Sequence, residues 1–292
     1  MLSRSNFLAL LGGGRTPKYP PNKTIIFDDA IHRGIISLEF NSTILAVRLN
    51  RTRIVVVTLH TIYVYAFSRP PTRLHEFETA ANPFGLVALQ GSFLVFPGRS
   101  EGQLQMVDVG TGNVSIIPAH TSSLAAVAVS ADGGLVATAS EKGTIIRLWA
   151  AQNGALLTEL RRGIDHARIY SLAISPGSKR LAVCSDKNTV HVYNLPGKHS
   201  AQGDNRRWNL LGKLPLLPKY FKSEWSAAHA EFTGSGEAAL GWVGEESVVV
   251  VTTGGKGGEA RWEKFVLVEQ EVAGEMCVEL MREGWRRYLD NE

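Results

Sequence analysis

Apolar residues fall along this chain in short bursts bounded by turn formers, seldom at helical spacing. Runs such as Lys23–Phe27, Arg53–Leu59, Leu135–Ser140 and Ser247–Thr252 are separated by Gly, Pro, Asn, Asp and Ser, the mark of successive strands and hairpins. A 3.6-residue period is found only near the end, where Met276–Tyr288 reads as a short helix.

The runs group in fours. Leu124–Arg162 and Ile169–Phe221 follow one order: an apolar strand, a polar turn, a strand ending in Ser140-Glu141-Lys142 or Ser185-Asp186-Lys187, then Thr144 or Thr189 and a β-branched strand. Four-stranded repeats of about 40 residues are the signature of propeller blades. A pair of β-sandwiches would not explain matched turn chemistry at a fixed period. The expectation is therefore an all-β, WD40-like β-propeller over 1–292, with blades at 3–40, 43–79, 84–118, 123–162, 168–223 and 226–269. The weak run Pro218–Phe221 serves as the fourth strand of the fifth blade, and Ala227–Phe232 opens the sixth.

Between two matched segments sits Glu159-Leu160-Arg161-Arg162-Gly163. If Leu156–Arg162 is a strand, its side chains alternate in direction, so Arg161 and Arg162 look toward different neighbours. Arginine forks with Ser, Thr and His donors suit phosphate groups. Two such sets, one repeat apart, point to two phosphate sites side by side. A lone arginine pair usually ends solvated at a strand terminus; the matched sets outweigh that reading. Both side chains are expected at the rim.

Composition narrows the function classes. The chain has 292 residues, 44% of them hydrophobic, with 29 Gly, 12 Pro and a formal net charge of +4. That mild positive bias favours anionic partners, but without a dense basic block or stacking aromatics it does not fit nucleic acid. Cys184 and Cys277 are too few for a disulfide framework or a zinc site and read as free thiols in a reducing compartment. No run has the apolar length to span a bilayer or to form a signal core, so the chain reads as cytosolic. H-E-x-x-H does not occur, and the eight histidines are scattered. No enzyme, cofactor or metal is expected.

The longest irregular stretch, Pro196–Leu217, carries Arg206, Arg207, Trp208, Leu210 and Leu211. A basic loop with an aromatic and leucines suits an anionic membrane surface, although most long loops are only solvated insertions.

Leu160-Arg161-Arg162-Gly163 resembles the F/L-R-R-G motif of the PROPPINs, seven-bladed β-propellers that bind phosphoinositides in autophagy. Ala139-Ser140-Glu141-Lys142-Gly143-Thr144, with Ile146 and Arg147, and Ser185-Asp186 with Thr189-Val190-His191 resemble the flanking family segments. Gly12-Gly13-Gly14, Pro17 to Lys23 and Leu217 to Phe221 extend the likeness over nearly the whole chain. Leu160 in place of Phe is similar to the subgroup of WD-repeat phosphoinositide-interacting proteins three and four and their fungal homologues. The resemblance implies one lipid site of His120, Thr138, Ser140, Arg147 and Arg161, and another of Gly143, Thr144, Arg162, Ser185, Thr189 and His191. It implies phosphatidylinositol 3-phosphate and 3,5-bisphosphate as ligands, and insertion of the blade-six loop into the membrane. It further implies a monomer recruited from the cytoplasm to preautophagosomal, endosomal or vacuolar membranes, with the lipid-transfer protein of autophagy as a partner. Thr138 stands where some relatives have Ser. Family members carry about one more blade before the position where this chain begins, so about six blades are expected, with a gap or loosened contact between the blades at 3–40 and 226–269. The reading from a different class is a WD-repeat protein scaffold with no lipid role.

Overall fold

The computed structural model describes residues 5–13, 16–196, 224–255, 258–272 and 275–288. The membrane-loop candidates Arg206, Arg207, Trp208, Leu210 and Leu211, and the run Pro218–Phe221, lie outside the described residues.

Two compact units divide the chain, Met1–Pro118 and Ala119–Glu292. The first holds three antiparallel sheets. One is β1 (Phe7–Leu11), β2 (Lys23–Asp28) and β3 (Arg33–Glu39); the next is β4 (Ala46–Leu49), β5 (Arg53–Val57), β6 (Thr61–Ala66) and β7 (Arg73–Glu78). The third is β8 (Ala88–Gln90), β9 (Phe93–Pro97), β10 (Gln103–Asp108) and β11 (Asn113–Pro118).

The second unit begins with β12 (Leu124–Val129), β13 (Leu135–Ser140), β14 (Ile145–Ala150) and β15 (Leu156–Arg161), continues with β16 (Ile169–Ile174), β17 (Arg180–Ser185) and β18 (Thr189–Asn194), and resumes at β19 (Glu224–Trp225) and β20 (Ala228–Glu231). It ends with β21 (Ala238–Val243), β22 (Ser247–Thr252), β23 (Arg261–Val272) and β24 (Glu275–Arg287). β12 to β15 form the fourth sheet, which β19 joins as a parallel fifth strand beside β15. β16 to β18 with β20 form the fifth sheet, and β21 to β24 the sixth.

Burial explains why these sequences settle as they do. In the second to fifth sheets the second strand is apolar nearly throughout and buried on both faces: Val55, Val57, Phe96, Val136, Ala137, Leu181 and Val183 are all fully covered. Third strands alternate buried and half-buried positions, and outer strands such as β7 and β11 are mostly exposed. Within each unit, neighbouring sheets pack their buried residues together. Ala137, Ile146, Leu148 and Leu160 of the fourth sheet meet Leu172, Leu181, Val183 and Tyr193 of the fifth in one cluster. At about 25 cal/mol per Å² of apolar surface removed from water, such clusters are the main term holding the sheets together.

The repeat reaches local detail. β12 and β16 carry the same register shift at their first residues, Leu124/Ala126 and Ile169/Ser171. The turns that follow β13 and β17 both reach a left-handed residue at the same point, Gly143 (φ +63°) and Asn188 (φ +54°).

Three elements differ from the sequence reading. Met276–Tyr288 is strand, not helix: β24 pairs residue by residue with β23 from Arg261↔Arg287 to Val272↔Glu275. The apolar spacing there suits either state, and the open edge of β23 decides it, as tertiary pairing often overrides local propensity. Ala228–Glu231 is the fourth strand of the fifth sheet, paired with β18 through His191↔His229, so the sixth sheet begins at Ala238. β15 ends at Arg161, leaving Arg162 just beyond the strand.

Candidate functional site

Every described candidate residue belongs to the second unit. Register brings the first set together. Thr138 on β13 lies opposite Arg147 on β14, which lies opposite Glu159 on β15. Thr138 is fully buried, and its Oγ1 is 2.9 Å from His120 Nε2 while accepting the Trp149 Nε1–H at 2.9 Å. Burial, then the Arg147 charge, pushes the His120 imidazole down to about 4, so this ring is neutral at physiological pH. Arg147 donates through Nε to Glu159 Oε1 at 2.7 Å and through Nη1 to the Ala119 carbonyl at 2.6 Å. Only about a quarter of that side chain is exposed, 25% by area.

The second set gathers around Arg162. Its Nε donates to the Gly143 carbonyl at 2.7 Å, its Nη2 to the Asp165 carbonyl at 2.5 Å, and its main-chain N–H to the Thr144 carbonyl at 3.0 Å. The glycine is required here. A Cβ at Gly143 would stand 1.7 Å from the Ala167 carbonyl oxygen, and φ is positive. Across in the fifth sheet, Ser185 Oγ lies 3.4 Å from Thr189 Oγ1, and His191 Nδ1 lies 3.3 Å from Ser226 Oγ. Burial and then the Arg162 charge push His191 down to about 4, so Arg162 acts on this ring across the sheet boundary.

Arg161 and Arg162 are both 8% exposed, which corrects the expectation that both side chains stand at the rim. Arg161 pairs in register with Ile145 on one side and Trp225 on the other, and its carbonyl accepts the Tyr193 hydroxyl at 3.0 Å. The Arg162 guanidinium is held by two carbonyls, and charge in a partly dry setting attracts an anion strongly.

His120, Thr138 and Arg147 therefore form one cluster, and Gly143, Thr144, Arg162 and His191 another. Ser185 and Thr189 contact each other, and Ser140 is buried, with its carbonyl taking the Gly143 N–H at 2.9 Å. Sequence reasoning missed Glu159, Trp149, Ser226 and His229. Glu159 was findable as an acidic residue one hairpin from Arg147; the others are brought in by strand pairing alone. Among the described residues, no three His, Cys, Asp or Glu side chains could hold a metal ion, and no helix is long and apolar enough to cross a membrane.

A family model described as PROPPIN matches residues 21–220. The chain is 47% identical over 319 residues to SVP1-like protein 2 of Emericella nidulans, covering 99% of each. It is 36% identical over 266 residues to Autophagy-related protein 18e of Arabidopsis thaliana, across 86% of this chain and 68% of that one. The solved structure of Kluyveromyces lactis Hsv2 is similar with a TM-score of 0.79 at 24% identity, covering 98% of this chain and 84% of that one. Successive antiparallel sheets and this likeness give the fold class, an all-β, WD40-like propeller.

Proposed function

The chain belongs to the PROPPIN family, and on that premise we propose that it is a membrane-recruited scaffold of autophagy that binds phosphatidylinositol 3-phosphate and 3,5-bisphosphate. The observation that carries this reading is the pair Arg161 and Arg162, both 8% exposed, the second held on the carbonyls of Gly143 and Asp165 with its field felt at His191. Each arginine would serve its own imidazole and hydroxyl set. One headgroup would sit with His120, Ser140, Arg147 and Arg161, with Thr138 supporting His120 from below. The other would sit with Arg162, Thr144, Ser185, Thr189 and His191.

A single solvated phosphate contact is weak, and two sites on one surface raise the effective concentration of each by about a hundredfold or more. The loop 196–217 would add affinity through Trp208, Leu210 and Leu211 without discriminating headgroups, and its Arg206 and Arg207 would act at surface range. We read residues 1–292 as one propeller domain acting as a monomer without catalysis. It would be recruited from the cytoplasm to preautophagosomal, endosomal or vacuolar membranes, with the lipid-transfer protein of autophagy as a partner.

Liposome flotation tests the reading. Vesicles containing either 3-phosphorylated lipid should carry the chain upward, and vesicles with the same charge supplied by phosphatidylinositol 4-phosphate should not. Equal flotation on both would reduce the site to a general anionic contact. Flotation on neither would favour a protein scaffold with no lipid role.

A further inference from the structure

The strand β20 brings a residue to the second site that no motif in the sequence marks. His229 lies directly opposite His191 across the β18–β20 pair. The two rings are stacked, with centroids 5.8 Å apart and planes 19° from parallel. His191 is half-buried and fixed by Ser226 through Nδ1, whereas His229 is exposed. We propose that His229 belongs to the second anion site, where its ring holds His191 in place and lets the stacked pair take up one proton when a phosphate monoester binds beside Arg162. This inference rests on the reading of that site as an anion site.

Among the described residues, three charges bear on the pair. Arg162 acts on His191. On β20, Glu231 lies two residues from His229 and pairs with Thr189, and Glu224 in β19 pairs with Leu160. β17 places Val183, which carries no charge, opposite His191. In the free site, burial, Arg162 and His229 together hold His191 at about 4. A phosphate monoester brings roughly 1.5 to 2 negative charges. Against Arg162 it would cancel the repulsion and accept a hydrogen bond from the imidazolium, and both effects favour the charged ring. Two stacked rings do not both protonate readily, so the pair takes one proton between them. By linkage, a complex that binds a proton on forming grows tighter as pH falls. The phosphate's own second ionisation, near pH 6, works in the opposite direction, so the test must separate the two.

Two measurements on the full chain do so. In the first, the ring C–H signals of His191 and His229 are followed by NMR against pH, with and without inorganic sulfate, whose charge stays fixed through this range. Sulfate should raise the titration midpoint of the pair by about one unit, and Arg162→Gln should remove the rise. Unmoved midpoints would overturn the proposal. In the second, wild type and His229→Phe are floated on phosphatidylinositol 3-phosphate vesicles at pH 7.5, 6.0 and 4.5, a range that reaches the site's midpoint. Phenylalanine keeps a stacking ring and removes only the proton site. The ratio of wild-type to variant affinity should grow roughly threefold or more across this range, since the lipid's own protonation cancels in the ratio.

A constant ratio sinks the assignment of His229 while leaving lipid binding standing. A sulfate-driven shift with no flotation at any pH supports the proton-linked site for soluble phosphate and rejects the lipid source.

Discussion

The Tyr193 hydroxyl, in the fifth sheet, donates to the main-chain carbonyl of Arg161, in the fourth, at 3.0 Å. Tyr193 is fully buried, and burial raises its phenol above the ordinary range, so it remains a donor at any physiological pH. The bond fixes the backbone between the two arginines from the neighbouring sheet. Tyr193→Phe should lower unfolding stability by about 1–2 kcal/mol, the cost of a buried acceptor left without its partner. It should also weaken flotation on 3-phosphorylated lipid several-fold with the fold intact by circular dichroism. Unchanged binding would show that the carbonyl anchor has no bearing on the arginines.

Replacing both arginines by alanine should abolish lipid-dependent flotation, with partial binding retained by each single variant. Burial makes the change costly as well: Arg162→Ala strips donors from the carbonyls of Gly143 and Asp165. A loss of about 1–3 kcal/mol is expected from denaturant melts. Arg162→Lys should not restore binding fully, because an ammonium lacks the fork that spans two carbonyls. Full 3-phosphate-dependent flotation of the double variant would end the two-site reading.

Gly143→Ala tests the turn itself. The new Cβ meets the Ala167 carbonyl oxygen at 1.7 Å with φ at +63°, so the turn must move away from the segment that follows Arg162. A destabilisation of about 2–4 kcal/mol is expected, together with loss of binding at the Arg162 site. Asn188→Gly at the matched turn should be mild, within about 1 kcal/mol, since glycine also adopts that conformation freely. Similar melting temperatures for Gly143→Ala and wild type would contradict the close approach.

Acid should destabilise the chain through two imidazoles. His120 and His191 are each lowered from 6.5 to about 4, so the unfolded chain binds more protons than the folded one between those values. Their contribution is fully present above pH 6.5 and declines as pH falls toward 4. Roughly 2 kcal/mol for each ring should be lost by pH 4.5, read as the fall in unfolding free energy from urea melts. His120→Gln should flatten this slope by about half. An unaltered slope would mean that carboxylates, not these rings, govern the acid limb.

The strand-and-turn rhythm was legible because the second to fifth sheets repeat one order of burial, a covered second strand and an alternating third. Ser140-Glu141-Lys142-Gly143 and Ser185-Asp186-Lys187-Asn188 were legible as equivalents because both reach the same left-handed turn. Pairing partners supplied from far along the chain were not legible. β20 enters the fifth sheet from beyond the segment 197–223, and Ala228–Glu231 carries no local sign of which repeat it serves. The depth of the arginines escaped for a similar reason. Pattern places Arg161 and Arg162 at a strand end, but their cover comes from Tyr193, Trp225 and the loop to Ala167. β24 was misread because Met276, Leu280 and Met281 satisfy a helical spacing as well as a strand, and only the free edge of β23 separates the two.

The short parallel strand β19 has a mechanical consequence. After β18 in the fifth sheet, the next described strand, β19, lies on the fourth, at Leu160↔Glu224 and Arg161↔Trp225. Its anchor is thus the arginine strand itself. Glu224 and Trp225 share their backbone pairing with the two residues that precede Arg162, so any shift of that strand is carried into β19.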